Sequence, residues 1–347
     1  MKNRLYPPYL RTPRLPALLG AILIFAARCV QAESQYNFVF TNGSVTITKY
    51  TGTAESVVVP KAFDGVPVTC IGPRAFYYDT TLRSIVVPGN VKVISHQAFL
   101  WCHALTNVVL QTGVESIESY AFNDTALTTL ALPNSVTNLG PGIVAECLGL
   151  TNISAGDLNQ SYVDLAGVLF DKELKTLVAY PAGRTNREYV IPGTIVSLED
   201  CAFRDGVNLT NVVIPGSVTS IGKHAFAGCS QLASIVIPAS VNHFGGCTFA
   251  ACNSLKAVYF HGNAPYGDNL AFASCTNIGT VYHLRDASGW KKTFCHWPTA
   301  IWHAPSGGYG ATTLRDAYYA TIPVATNLST ASQASTTRVS AGTILRP

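Results

Sequence analysis

A block of about 23 residues returns along most of this 347-residue chain, and it limits the possible folds more than any other feature. The cleanest copy reads Leu209-Thr-Asn-Val212-Val-Ile214-Pro215-Gly-Ser-Val218-Thr-Ser-Ile221-Gly222-Lys-His-Ala225-Phe226-Ala-Gly-Cys229. The next passes through Leu232, Ile235, Ile237-Pro238, Val241, Phe244-Gly245 and Phe249 to Cys252. A unit this short cannot bury its own apolar face, so consecutive units must stack and cover one another. The Phe marker stands at Phe76, Phe99 and Phe122, then at Phe203, Phe226, Phe249 and Phe272, 23 residues apart within each run. One degenerate copy follows the first run, with Ile143-Val144 in place of Ala-Phe. The 59 residues from Val144 to Phe203 are too many for two standard units and predict one or two enlarged coils, for about nine units in all.

Within a unit, Val212 and Ile214 alternate with period two in β-branched surroundings, which predicts a short strand. Pro215 supplies no N–H to a ladder and ends that strand. The segment Val218 to Gly222 is expected to turn the chain, and Ala225-Phe226 returns a ring to the interior. Stacking at about 4.8 Å sets each Phe over the preceding one. The Phe column is therefore a structural spine.

The ordered pattern Leu-x-x-Ile-x-Ile-Pro-x-Ser-Val-x-x-Ile-Gly-x-x-Ala-Phe-x-x-Cys resembles the BspA-like leucine-rich repeat over roughly residues 36–303. Gly43-Ser-Val45-Thr-Ile47, Val59-Pro60 and Gly65 to Gly72 resemble that family's opening unit, and Gly167 to Asp171 with Leu177 to Gly183 resemble its hairpin-like insert. The expected fold is a repeat solenoid, a right-handed leucine-rich-repeat stack with one short parallel β-strand per coil, capped at both ends. The resemblance implies a secreted or surface-exposed protein, adhesive or partner-binding, with no catalytic residues to carry over. Departures are Gln111 in place of Pro, Ile143-Val144, and the absence of Cys after Phe76, Phe122 and Phe203.

A charged fraction of 12% against 48% hydrophobic suits a continuous core with neutral turns and argues against disorder across the repeats. The formal charge of +4 includes Lys2, Arg4, Arg11, Arg14 and Arg28 in an acid-free leader, so the remainder carries −1 and offers no nucleic-acid footprint. That leader has a basic start, the apolar run Ala17 to Ala27 and the small-residue exit Val30-Gln31-Ala32, the pattern of a signal peptide cleaved after Ala32. Its 11-residue run is too short to span a bilayer, leaving no transmembrane segment in the mature chain. Expected organisation is signal peptide 1–32, N-terminal cap and opening unit 33–70, first run 71–150, and enlarged irregular coil 151–200. The second run, 201–280, leads to a C-terminal cap, 281–305, and a Ser/Thr/Ala-rich disordered tail, 306–347.

Ten cysteines include Cys102, Cys147, Cys229, Cys252 and Cys275 at one repeat position, where a buried thiol fills a tight corner. Stacking would also bring neighbouring cysteines within reach of a disulfide. No close-spaced Cys pair supports zinc. His283, Cys295-His296 and His303 fall among Trp290, Phe294, Trp297-Pro298 and Ile301-Trp302, which reads as a terminal lid, so no metal or cofactor is expected. Asp157, Asp164, Asp171 and Glu173 near the enlarged coil read as solvated loop charges, and familiar nucleophile, metalloprotease and phosphate-loop motifs are absent.

Recognition is left to the strand side chains that point away from the core. These are Val86, Val109, Ala131, Val213, Val236 and Tyr259, flanked by polar positions that include Asn211 and Ser234. They are expected to form one outward ridge contacting an extracellular protein or polysaccharide. The alternatives are a passive envelope or matrix role, and, less favoured, a carbohydrate-active or other hydrolase.

Overall fold

The computed structural model describes residues 35–267 and 269–302 of the protein. The expected signal peptide, disordered tail and His303 lie outside them. Among the described residues the chain is a parallel β-solenoid of about ten turns without helix, against the nine units expected.

Each regular coil carries two strands rather than the one the sequence suggests. The longer ones, such as Ser84–Val87, Asn107–Leu110, Ser234–Ile237 and Ala257–Phe260, pair in parallel with their neighbours. Their alternating burial follows the period-two pattern. They stop where proline follows, at Pro88, Pro133 and Pro238, and the proline carbonyl then accepts the amide three residues on, from Val91, Val136 and Val241. The second strand is only two residues long: Val93–Ile94, Ser116–Ile117 and Asn138–Leu139 in the first run, Ser197–Leu198, Ser220–Ile221 and His243–Phe244 in the second. The segment expected to act purely as a turn is thus itself a ladder. Its glycine serves close approach: a Cβ on Gly222 would stand 2.6 Å from the Asp200 amide nitrogen, and one on Gly245 2.2 Å from that of Lys223.

A third set of inter-coil bonds runs through the Ala-Phe turn. Gln97, Phe99 and Trp101 donate their amides to Ser119, Ala121 and Asn123 of the next coil, while Ala98, Leu100 and Cys102 donate back to Ser95, Gln97 and Phe99. The alternation satisfies the turn's buried backbone without a helix. It holds two left-handed residues per turn, two before and two after the Phe, for example Gln97 and Trp101 at φ 57° and 64°.

The Phe spine forms as expected. Successive rings are 4.8 Å apart from Phe76 to Phe99, 5.1 Å from Phe99 to Phe122, 5.0 Å from Phe203 to Phe226, and 5.2 Å from Phe226 to Phe249. Tyr50 extends it into the first coil, stacked on Phe76 at 5.0 Å. Tyr180 occupies the same position 23 residues before Phe203, stacked on it at 5.2 Å, so the long gap contains one enlarged coil of 36 residues and one standard coil.

The enlarged coil is a three-stranded antiparallel meander, Tyr162–Leu165, Val168–Asp171 and Thr176–Ala179. Its first turn puts Ala166 and Gly167 at φ 50° and 83°, as a two-residue hairpin turn requires. The middle strand is buried on both faces and separates two cores. Leu169 and Ala179 belong to the first core, Val168, Phe170, Leu177 and Tyr180 to the second. Arg204 bridges the seam on the turn face, paired with Glu146 of the first run and with Asp205 at 3.3 Å. Tyr120 and Cys201 meet beside it at 3.5 Å.

At the last coils Trp290 packs on Phe260 at 4.8 Å and stacks on His283 at 4.9 Å, and Phe294 lies 5.2 Å from Trp290. Cys295 and His296 are the two central residues of the hairpin turn joining Phe294 to Trp297, at φ 48° and 70°.

Candidate functional site

The cysteine column is part of the frame. Cys102, Cys147, Cys229, Cys252 and Cys275 are buried free thiols, and each donates to the Phe carbonyl of the coil before it, at 3.0, 3.1, 3.2, 3.1 and 2.9 Å. In the shortened turn after Phe122, Thr125 stands near this place and meets the Cys147 sulfur at 3.2 Å. Burial pushes the Cys102 and Cys229 thiols up to about 12 and Cys147 up to about 11, keeping them protonated donors at neutral pH.

Other polar residues of the repeat are also committed to the frame. Ser135, Ser217 and Ser240 donate to Val114, Ile195 and Val218 of the preceding coil. Near the insert, Asp164 accepts the Ala155 amide at 3.0 Å and Asp171 the amides of Lys175 and Thr176 at 2.7 and 2.9 Å. These carboxylates hold turns. No group of three or more His, Cys, Asp and Glu converges among the described residues.

The outward strand positions line up in register. Val58 faces Val86, and Val86 faces Val109; Ala131 faces Ser154; Val190 faces Val213; and Val236, Tyr259, Tyr282 and Ala300 follow one another. Val109 is 42% exposed, Ala131 and Ser234 are exposed, and Val86, Asn211, Val236 and Tyr259 are half-buried. Val213 is not a surface residue. It is 7% exposed, with Val190 directly across the ladder.

Nor is the ridge a single ladder. The strands pair in four separate groups, interrupted after Asn107–Leu110, at the insert, and after Asn211–Val213. The first break follows a missing residue: Phe122 to Leu127 is five steps, where Phe99 to Leu105 is six. The predicted residues therefore fall into patches, Val86 with Val109 at one end and Val236 with Tyr259 at the other. Tyr282 was missed by the sequence reading; its ring stacks on Tyr259 at 5.1 Å and 14° and belongs to the second patch. The signal for it was the Val-Tyr pair recurring at Val258-Tyr259 and Val281-Tyr282.

Sequence reasoning also passed over the turn face. There Tyr77, Tyr78 and Trp101 form an exposed aromatic cluster that the repeat spacing does not signal.

No curated protein matches the sequence. The fold is similar to that of a leucine-rich repeat protein from Eubacterium ventriosum, 25% identical, with a TM-score of 0.58 over 74% of this chain and 78% of that one. The pneumococcal vaccine antigen PcpA shares the fold at 16% identity and a TM-score of 0.53, over 72% of this chain and 85% of its own. The profile of the BspA type Leucine rich repeat region matches residues 69–165 and 183–289 in six copies, more than half of the sequence. The chain belongs to the BspA-type leucine-rich repeat family.

Proposed function

We propose that this protein is an exported, non-catalytic binding module that contacts an extracellular protein or polysaccharide through its strand face. The observation carrying the reading is the paired ladder Val236–Tyr259–Tyr282, where stacked tyrosines face outward in a fold whose interior is already filled by the Phe spine. Tyrosine supplies contact area and a hydrogen-bonding tip with little rotamer entropy to lose, which suits recognition more than core stability. Val109 and Ala131 extend apolar surface on the same face of the first run. Export rests on the basic leader and apolar run of residues 1–32. The repeat's polar side chains serve as inter-coil clamps, which supports a frame without catalytic machinery.

The test replaces Val109, Val236 and Tyr259 together by Lys, leaving buried Val213 untouched. Loss of capture of extracellular matrix protein or cell-surface polysaccharide, with an unchanged unfolding midpoint, supports the reading. Capture equal to wild type would sink the surface assignment. Binding that persists only between copies of the chain would favour the passive matrix role.

A further inference from the structure

Three aromatic rings are partly exposed on the turn face of the coils built around Phe76 and Phe99. Tyr77, Tyr78 and Trp101 are 42%, 59% and 39% exposed. They touch across the two coils, Trp101 lying 5.4 Å from Tyr77 and 6.2 Å from Tyr78 between ring centroids. A polar rim surrounds them. Arg74 lies over Tyr77 at 5.7 Å and donates from Nε to Gln97 Oε1 at 2.7 Å. His103 meets Tyr78 edge-on at 6.2 Å, with the Asp124 carboxylate 3.5 Å from its Nδ1.

Core packing does not account for these rings. Tyr78 and Trp101 occupy the second left-handed position of the turn, at φ 59° and 64°. Later coils place Asp124, Glu146, Asp205, Gly228, Ala251 and Ser274 there, none of them aromatic. Inter-coil amide bonds hold this backbone whatever the side chain, so the turn itself does not call for an aromatic there, and Tyr78 and Trp101 keep 59% and 39% of their surface exposed. Large rings kept partly exposed at a position that non-aromatic residues fill in other coils point to a surface used for binding.

Size and charge select the partner. The next coil presents Asn123 and Asp124, so the rings span two coils spaced about 4.8 Å apart, a tilted cluster on the order of 10 Å across in which Tyr77 and Tyr78 stand at 41° and 78° to Trp101. A stable protein interface covers roughly 800 Å² on each partner. The cluster is far smaller and matches one or two sugar rings. A pyranose offers C–H bonds to the negative face of an aromatic ring, and its edge hydroxyls require donors and acceptors. Arg74, Gln97, His103 and Asp124 supply both, and their mixed charges suit an uncharged ligand. We propose that Tyr77, Tyr78 and Trp101 form an aromatic contact site for a neutral saccharide segment, its rings meeting the sugar from different sides, separate from the strand face.

Isothermal titration of the full chain with cellotetraose, maltotetraose, mannotetraose, xylotetraose and chitotetraose tests this. Tyr78→Asp and Trp101→Asp copy the residue found at Asp124 and Asp205, so the turn keeps its backbone. The expected result is binding of at least one oligosaccharide with Kd of about 0.1–1 mM, weakened at least about tenfold by either substitution while the unfolding midpoint holds or rises. Absence of binding to all five at about 10 mM overturns the proposal, as does equal binding by both variants. Loss of a protein partner in these variants, without saccharide binding, overturns it in favour of a protein contact. The Val109/Val236/Tyr259 triple variant is expected to keep full saccharide binding, so this surface and the strand face fail independently.

Discussion

Phe226→Ala is expected to break the stack at its best-packed point. The ring is fully buried, 5.0 Å from Phe203 and 5.2 Å from Phe249, with interplanar angles of 7° and 5°. Truncation returns roughly 120 Å² of apolar burial, worth about 3 kcal/mol at 25 cal/mol per Å². Losing two stacked pairs adds about 1–2 kcal/mol, giving about 4–5 kcal/mol, within the usual range for a buried Phe→Ala change. The coils above and below fix the backbone, so little collapse relieves the cavity. Phe226→Leu should cost about 1–2 kcal/mol because it leaves a smaller void. Phe122→Ala should cost about 1 kcal/mol less than Phe226→Ala, since Phe122 stacks on Phe99 with Val144 beyond it. Urea unfolding is followed by far-UV circular dichroism and by amide exchange in the second run, because a repeat stack need not unfold in one step. A change below about 1 kcal/mol for Phe226→Ala would refute the spine as the main source of cohesion.

The thiol column predicts an alkaline limit. The Cys229 thiol is raised from 9.0 to about 12 by burial, so its stabilisation is complete below pH 9 and is lost as pH rises towards 12. Melting curves from pH 8 upward should show falling stability, shallower in Cys229→Ala; identical slopes would count against a buried neutral thiol. Arg204→Ala should cost about 1–2 kcal/mol because its partly buried bridge to Glu146 and Asp205 closes the seam, whereas the exposed Arg83–Glu55 pair should contribute within about 0.5 kcal/mol. Thermal melts of Arg204→Ala and Arg83→Ala compare them directly. Replacing Cys295-His296 by Asn-Gly should stabilise the C-terminal hairpin by about 1 kcal/mol, since both positions have positive φ; a lowered melting temperature would contradict that turn assignment.

The interior was readable because each coil must repeat the same buried contacts. Leu, Ile, Phe and Cys recur at fixed spacing, and the structure places them in continuous columns. The second ladder was not readable, since a strand such as Ser220–Ile221 contributes one buried side chain and no alternation. Tyr180 kept the 23-residue spacing to Phe203 but was hidden by the search for Phe. Most left-handed turn residues are not Gly, with Trp101, Glu146 and Cys201 among them, because inter-coil amide bonds rather than local preference hold them there. Surface exposure was the weakest inference: alternation says that Val213 points outward, whereas its neighbours decide that it is covered.

Equilibrium binding to immobilised extracellular matrix protein and cell-surface polysaccharide tests most directly whether this repeat frame exists to present a recognition surface. The account predicts saturable binding by the wild-type chain, weakened at least about tenfold when Val109, Val236 and Tyr259 become Lys, with an unchanged unfolding midpoint. Absence of saturable binding, or equal binding by the folded triple variant, would contradict it.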